Sequence, residues 1–125
     1  MAEYELSHLP VDLSARLSPI KPGAEWTGFA YTKYNTDGNP ETTTSWTAKI
    51  QFRTDKNAAD VIVELTTSSG IVNNNSGKFS VALTAAQTAL FTTEEAYFDM
   101  YITRADSTIF CPLQATVPVL WRATR

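Results

Sequence analysis

The sequence predicts an all-β protein, an antiparallel β-sandwich of about seven strands. Two observations carry that prediction. Apolar and polar residues alternate with a period of two in stretch after stretch, as half-buried strands require. Clusters of Gly, Pro, Asn, Asp and Ser punctuate those stretches at roughly ten-residue spacing, the rhythm of short strands joined by turns.

The elements follow in order. Residues 1–10 have no clean period and read as an arm or irregular lead-in. Val11, Leu13, Ala15 and Leu17 then alternate with Asp12, Ser14 and Arg16, the pattern of a half-buried strand. Pro19 and the Pro22-Gly23 pair end it. Residues 26–34 are aromatic-rich and read as a second strand, with Phe29 and Tyr31 on one side. Asp37-Gly38 within residues 35–40 tolerates positive φ and signals a hairpin turn. The clearest strand comes next: Trp46, Ala48, Ile50 and Phe52 point one way, and Thr47, Lys49, Gln51 and Arg53 the other.

After a polar turn at residues 54–57, Val61, Val63 and Leu65 alternate. Ile71-Val72 is a short apolar pair between turns at residues 66–70 and 73–77. Phe79, Val81 and Leu83 form a further strand. Residues 84–91 break the pattern: Thr84 precedes Gln87 by three, a capping-box spacing, and good helix formers follow. One short helix, of a single turn or two, is predicted there. Residues 96–103 return to strand, with Phe98, Met100 and Ile102 opposite Tyr97, Asp99 and Tyr101. A last β segment runs from 109 to 121, where Pro112 and Pro118 favour an edge or a bulge. The domain expectation is therefore a sandwich over 11–121, with a tail at 122–125.

Composition narrows the function. A chain of 125 residues that is 43% hydrophobic has material for one packed core. A formal net charge of −3 argues against a nucleic-acid partner, which calls for a basic face. One Cys and one His exclude a disulfide framework and a Cys/His zinc site. No apolar run is long enough to span a membrane. The N-terminus shows no signal-peptide pattern, so the expectation is synthesis in a cytoplasm with Cys111 reduced.

A search for chemistry predicts no enzyme and no cofactor. His8 is the only histidine and falls in the lead-in, so a catalytic triad would rest wholly on it. Cys111 reads as a small core or edge hydrophobe, with nothing basic beside it to lower its pKa. Glu94 and Glu95 are adjacent and point apart, unlike a glycosidase pair sharing one substrate. No calcium-loop or phosphate-loop spacing is present. The aromatics Trp26, Trp46, Trp121, Tyr31, Tyr34, Tyr97 and Tyr101 offer the material of a sugar platform, although Trp46 lies on the apolar face of its strand. Tyr97 and Tyr101 share the face opposite the apolar one. An outward Tyr pair suits a subunit interface, with core burial and glycan contact as alternatives.

Three stretches carry a resemblance. Trp46-Thr47-Ala48-Lys49-Ile50-Gln51-Phe52-Arg53 is similar to the W-x-A-x-x-Q-x-R strand of small tailed-phage and prophage structural proteins. Gly77-Lys78-Phe79-Ser80-Val81-Ala82-Leu83-Thr84, with Thr88 after it, resembles their G-x-[FIV]-x-[VL]-x-L-[ST]-x-x-x-T segment. Ala96-Tyr97-Phe98-Asp99-Met100-Tyr101-Ile102-Thr103 resembles the Y-x-Y-D-[IL]-x-[LV]-T strand that follows. The family is the N-terminal domain of phage baseplate upper proteins with related short virion proteins. Where that family has a D-G turn after this strand, the present chain has Arg104-Ala105-Asp106-Ser107.

The resemblance implies an immunoglobulin-like sandwich without catalytic residues, acting as a virion structural protein in the tail, baseplate, collar or fibre-attachment region. Capsid decoration is the nearest rival, and a carbohydrate-binding module the second alternative. The expected location is the virion after synthesis in the host cytoplasm. Expected partners are other virion proteins and copies of the same chain, without membrane or nucleic acid. The residues expected at the interface are Tyr4, Leu6, Tyr97, Tyr101, Trp121, Arg122 and Arg125.

Overall fold

The computed structural model describes residues 11, 12, 14 and 16–120. Its strands are β1 (Val11–Asp12), β2 (Trp26–Thr32), β3 (Thr47–Arg53), β4 (Val63–Thr66), β5 (Ile71–Asn73), β6 (Lys78–Leu83), β7 (Glu95–Thr103) and β8 (Ile109–Pro118). One short helix, α1 (Ala85–Thr88), joins β6 to β7. A five-stranded sheet in the order β1-β8-β7-β3-β4 faces a three-stranded sheet in the order β2-β6-β5. Pairing is antiparallel except where β1 runs parallel to β8. The segregation of β2, β6 and β5 from β4, β3, β7 and β8 is that of immunoglobulin strands B, E and D from C′, C, F and G. The fold is an immunoglobulin-like β-sandwich.

Alternation fills the space between the sheets. Ala48, Ile50 and Phe52 of β3 meet Phe98, Met100 and Ile102 of β7 in register, and all six are buried. From the other sheet come Phe79, Val81 and Leu83 of β6 and Ile71 of β5. Phe52 is the hub of an aromatic cluster, with ring centroids 6.0 Å from Trp26, 5.6 Å from Phe91 and 5.0 Å from Phe98. Phe29 of β2 stacks on Phe98 of β7 at 5.5 Å. Antibody domains join the corresponding two strands by a disulfide. Here a pair of phenyl rings spans the sheets instead.

Polar groups fasten the ends. Thr43, fully buried before β3, donates from Oγ1 to Asn73 Oδ1 at 2.8 Å and accepts from the Gly77 N–H at 3.0 Å. Asn73 Nδ2 donates in turn to the Thr43 and Trp46 carbonyls. The approach to one sheet is thereby tied to the β5–β6 hairpin of the other. The expected capping box closes α1: Gln87 N–H donates to Thr84 Oγ1 and Thr84 N–H to Gln87 Oε1. Buried Thr88 holds residues 23 and 24 by accepting from Gly23 N–H and donating to Ala24 O.

Several sequence expectations need correction. The strand expected over residues 11–17 stops after Asp12, because the Asp12 carboxylate takes the N–H and hydroxyl of Ser14 and turns the chain. Ser14 Oγ then accepts from Thr116 N–H at 2.8 Å. Leu13 and Ala15 lie outside the described residues. Val61 is exposed rather than continuing the face of Val63 and Leu65. The strand begins only at Val63, and Ile62 N–H reaches back to Phe52 O at 2.7 Å. The Asp37-Gly38 turn closes a local hairpin bridging Tyr34 and Pro40, while the long strands on either side of it join different sheets. Pro112 sits where the β7–β8 register slips between Met100 and Ile102, a bulge of the kind its missing N–H favours.

Candidate functional site

The outer face of the five-stranded sheet is a grid set by register. Ile109, Thr103 and Thr47 form one row, and Tyr101, Lys49 and Thr66 the next. Gln114, Asp99, Gln51 and Glu64 make a third, and Thr116, Tyr97 and Arg53 a fourth. Gln51 Nε2 donates to Glu64 Oε2 at 2.7 Å, and Lys49 Nζ lies 4.0 Å from the same oxygen. Arg53 donates to Gln51 Oε1. The central polar groups thus hold one another in place.

The first two rows enclose a cleft of about 650 Å³. Tyr101 and Ile109 stand beside it, 45% and 65% exposed. Thr47, Thr66, Thr67, Ser68 and Thr103 contribute methyls and hydroxyls to its lining, and Lys49 a cation. The Asp99 charge, reinforced by burial, pushes the Tyr101 phenol up from its ordinary pKa, so it remains a neutral hydrogen-bonding group. A second cleft at the other end, about 360 Å³, is lined by Asp12, Asp55, Lys56, Glu95 and Tyr97 among others.

The two tyrosines expected at an interface do share this face, but their exposure differs. Tyr97 is half-buried and its hydroxyl donates to Gln114 Oε1 at 3.1 Å, so it is the less available of the pair. Tyr4, Leu6, Trp121, Arg122 and Arg125 lie outside the described residues, as does His8. Trp26 and Trp46 are buried and form no sugar platform. Trp26 Nε1 donates inward to Ser18 O at 2.8 Å, and Trp46 packs against Phe110 and the Arg104 guanidinium.

Ile109 and the Thr66–Ser68 wall are the parts that sequence reasoning missed. A signal was available for Ile109: adjacent apolar residues such as Ile109 and Phe110 cannot both face inward on a strand. The wall had none, because it reaches the cleft only through the β3–β4 pairing.

The described residues lining these clefts offer contact and hydrogen bonding. Burial and the Asp99 charge push the Cys111 thiol up in pKa, which disfavours a thiolate nucleophile. Glu94 and Glu95 are both exposed where β7 begins. Among the described residues no group of three or more His, Cys, Asp and Glu side chains is placed to hold a metal ion. Among the same residues no helix is long and apolar enough to cross a membrane. Comparison with protein-family models and with curated proteins finds no match to this chain.

Proposed function

We propose that this chain is a structural component of a tailed-bacteriophage virion, acting by protein–protein docking in the tail, baseplate, collar or fibre-attachment region. The observation that carries the docking reading is the exposure of Tyr101 and Ile109 together over one cleft on an ordered sheet face. Large apolar side chains grouped at a concavity are what an interface buries. The phage assignment draws support from the three strand motifs, which fall on β3, on β6 with α1, and on β7. The virion reading is for a non-enzymatic part made in the host cytoplasm. It takes other virion proteins and copies of itself as partners; capsid decoration is its nearest variant.

A double variant, Tyr101→Thr with Ile109→Thr, tests the reading in cells that assemble whole particles. The variant should unfold at nearly the wild-type temperature, since both side chains are exposed, yet be depleted from purified particles. Mass spectrometry should find the wild-type chain there at a fixed copy number. Its absence from the particles would sink the assignment.

The ring of hydroxyls beside Tyr101 favours one second reading, a glycan contact. Glycan-array binding lost in Tyr101→Ala would support that reading over pure scaffolding.

A further inference from the structure

Strands at sheet edges leave backbone groups unpaired, and proteins blunt them by shortness, charge, proline or cover. Three edges of this sandwich are blunted. Among the described residues β1 spans two, β5 three, and β4 four with Glu64 among them. β2 is different. It runs for seven residues, Trp-Thr-Gly-Phe-Ala-Tyr-Thr, without a charge or a proline, and among the described residues β6 is its one strand partner.

The register tells which groups are open. Phe29 pairs with Val81 and Tyr31 with Phe79, and one step further Lys33 N–H donates to Gly77 O at 2.8 Å. Antiparallel pairing alternates along a strand, so Ala30 and Thr32 turn their N–H and C=O away from β6. Among the described residues no backbone partner reaches either. The inner side of the same stretch is also incompletely covered. Phe29 and Tyr31 pack against the core yet are only half-buried.

We infer that β2 is a self-pairing edge, and that a second copy of this chain adds its own β2 antiparallel to it across a twofold axis. Charge selects this occupant. In a twofold contact each residue near the axis lies close to its own counterpart, so any charge there repels itself. β2 carries none, in a chain of net charge −3. An axis through Tyr31 pairs Ala30 with the partner's Thr32 and Thr32 with the partner's Ala30, satisfying all the open groups of both residues. It also brings the two Tyr31 rings side by side over the exposed flank of Phe29. The product is a continuous six-stranded sheet, β5-β6-β2 followed by its twofold image. One strand edge buries less than a standard interface of about 1,600 Å², so the dimer forms in a concentration-dependent way.

The inference rests on the docking reading above and narrows it to one partner and one edge. Sedimentation of the full chain over about a hundredfold range of concentration should show the mean mass climbing from one copy towards two. Ala30→Lys, on the solvent side of β2, should weaken the dimer by about two- to fivefold without lowering the unfolding temperature of the dilute chain. Hydrogen exchange supplies a second measurement on the unaltered chain: the Ala30 and Thr32 amides should be protected at high concentration and open on dilution. A monomer at every concentration, or a dimer indifferent to Ala30→Lys, overturns the inference. So does protection of both amides in the dilute monomer, because the edge is then covered within one chain. A chain that stays monomeric yet enters particles at full occupancy defeats the edge pairing and leaves the docking reading standing. A dimer absent from particles does the reverse.

Discussion

Replacing Thr43 by Val keeps the shape of the side chain and removes only its hydroxyl. That hydroxyl bonds Asn73 Oδ1 at 2.8 Å and the N–H of buried Gly77 at 3.0 Å, inside a residue with no exposed surface. The valine leaves the Gly77 donor without its partner and takes one of two donors from Asn73 Oδ1, the other being Asn75 N–H. Orphaning a buried polar group costs about 1–3 kcal/mol, and here one is orphaned and a second impaired, so the expected loss is about 2–3 kcal/mol. Thr43→Ser supplies the control: it retains both hydrogen bonds and gives up one methyl, about 1 kcal/mol.

Urea unfolding with an unchanged slope should therefore rank wild type above Ser above Val, with Val melting about 10 °C below wild type. A packing account predicts the opposite order, because Val preserves volume and Ser does not. Thr43→Val within about 0.5 kcal/mol of wild type, or above Thr43→Ser, would refute the claim that this polar node joins the two sheets. Combining Thr43→Val with Asn73→Ala should cost clearly less than the two single losses added, since both dismantle one network.

Two further predictions concern the backbone and one tyrosine. Gly28 has φ +66°, and a Cβ there would stand 2.2 Å from the Val81 carbonyl oxygen, so Gly28→Ala should cost at least about 2 kcal/mol. Gly38 has φ +85° but open space around it, so Gly38→Ala should pay only the conformational part, about 1–2 kcal/mol; equal losses in a thermal melt would show that the close approach in β2 is unimportant. Burial pushes the Tyr31 phenol up to about 12, with the Arg104 charge opposing and the Glu41 charge adding to the rise. Its folded pKa exceeds the ordinary value of 10.0, so its contribution to stability is complete below that pH and is lost as pH climbs through about 12. A phenolate absorbance titration should lose its latest-ionising component in Tyr31→Phe, and persistence of that component would contradict the assignment.

The strand faces were legible because a period of two is local covalent geometry, and a residue's face follows from its neighbours in sequence. Trp46, Ala48, Ile50 and Phe52 were readable as buried for that reason, and so were Phe98, Met100 and Ile102. The capping box of α1 was readable too, since Thr84 and Gln87 are three residues apart and satisfy each other. Alternation misled where the chain left its ladder. Val61 keeps the period of Val63 and Leu65 but precedes their strand, and Asp12 spends its carboxylate on a turn in the middle of an apparent strand.

Sequence alone thus determined that the chain is a β-sandwich, roughly where its strands lie, and that Tyr97 and Tyr101 share a face. The tertiary structure decided what depends on partners far along the chain. Thr43 reaches Asn73 and Gly77, residues thirty and more positions away, and no local pattern announces that meeting. Tyr101 becomes the available tyrosine because Gln114, on the neighbouring strand, occupies the hydroxyl of Tyr97. The cleft beside Tyr101 exists because β4 and β8 flank β3 and β7, which fixes Thr66 and Ile109 at its two sides. Side-chain direction is set by each residue's own backbone, whereas sheet order and register are set by which distant strands pair.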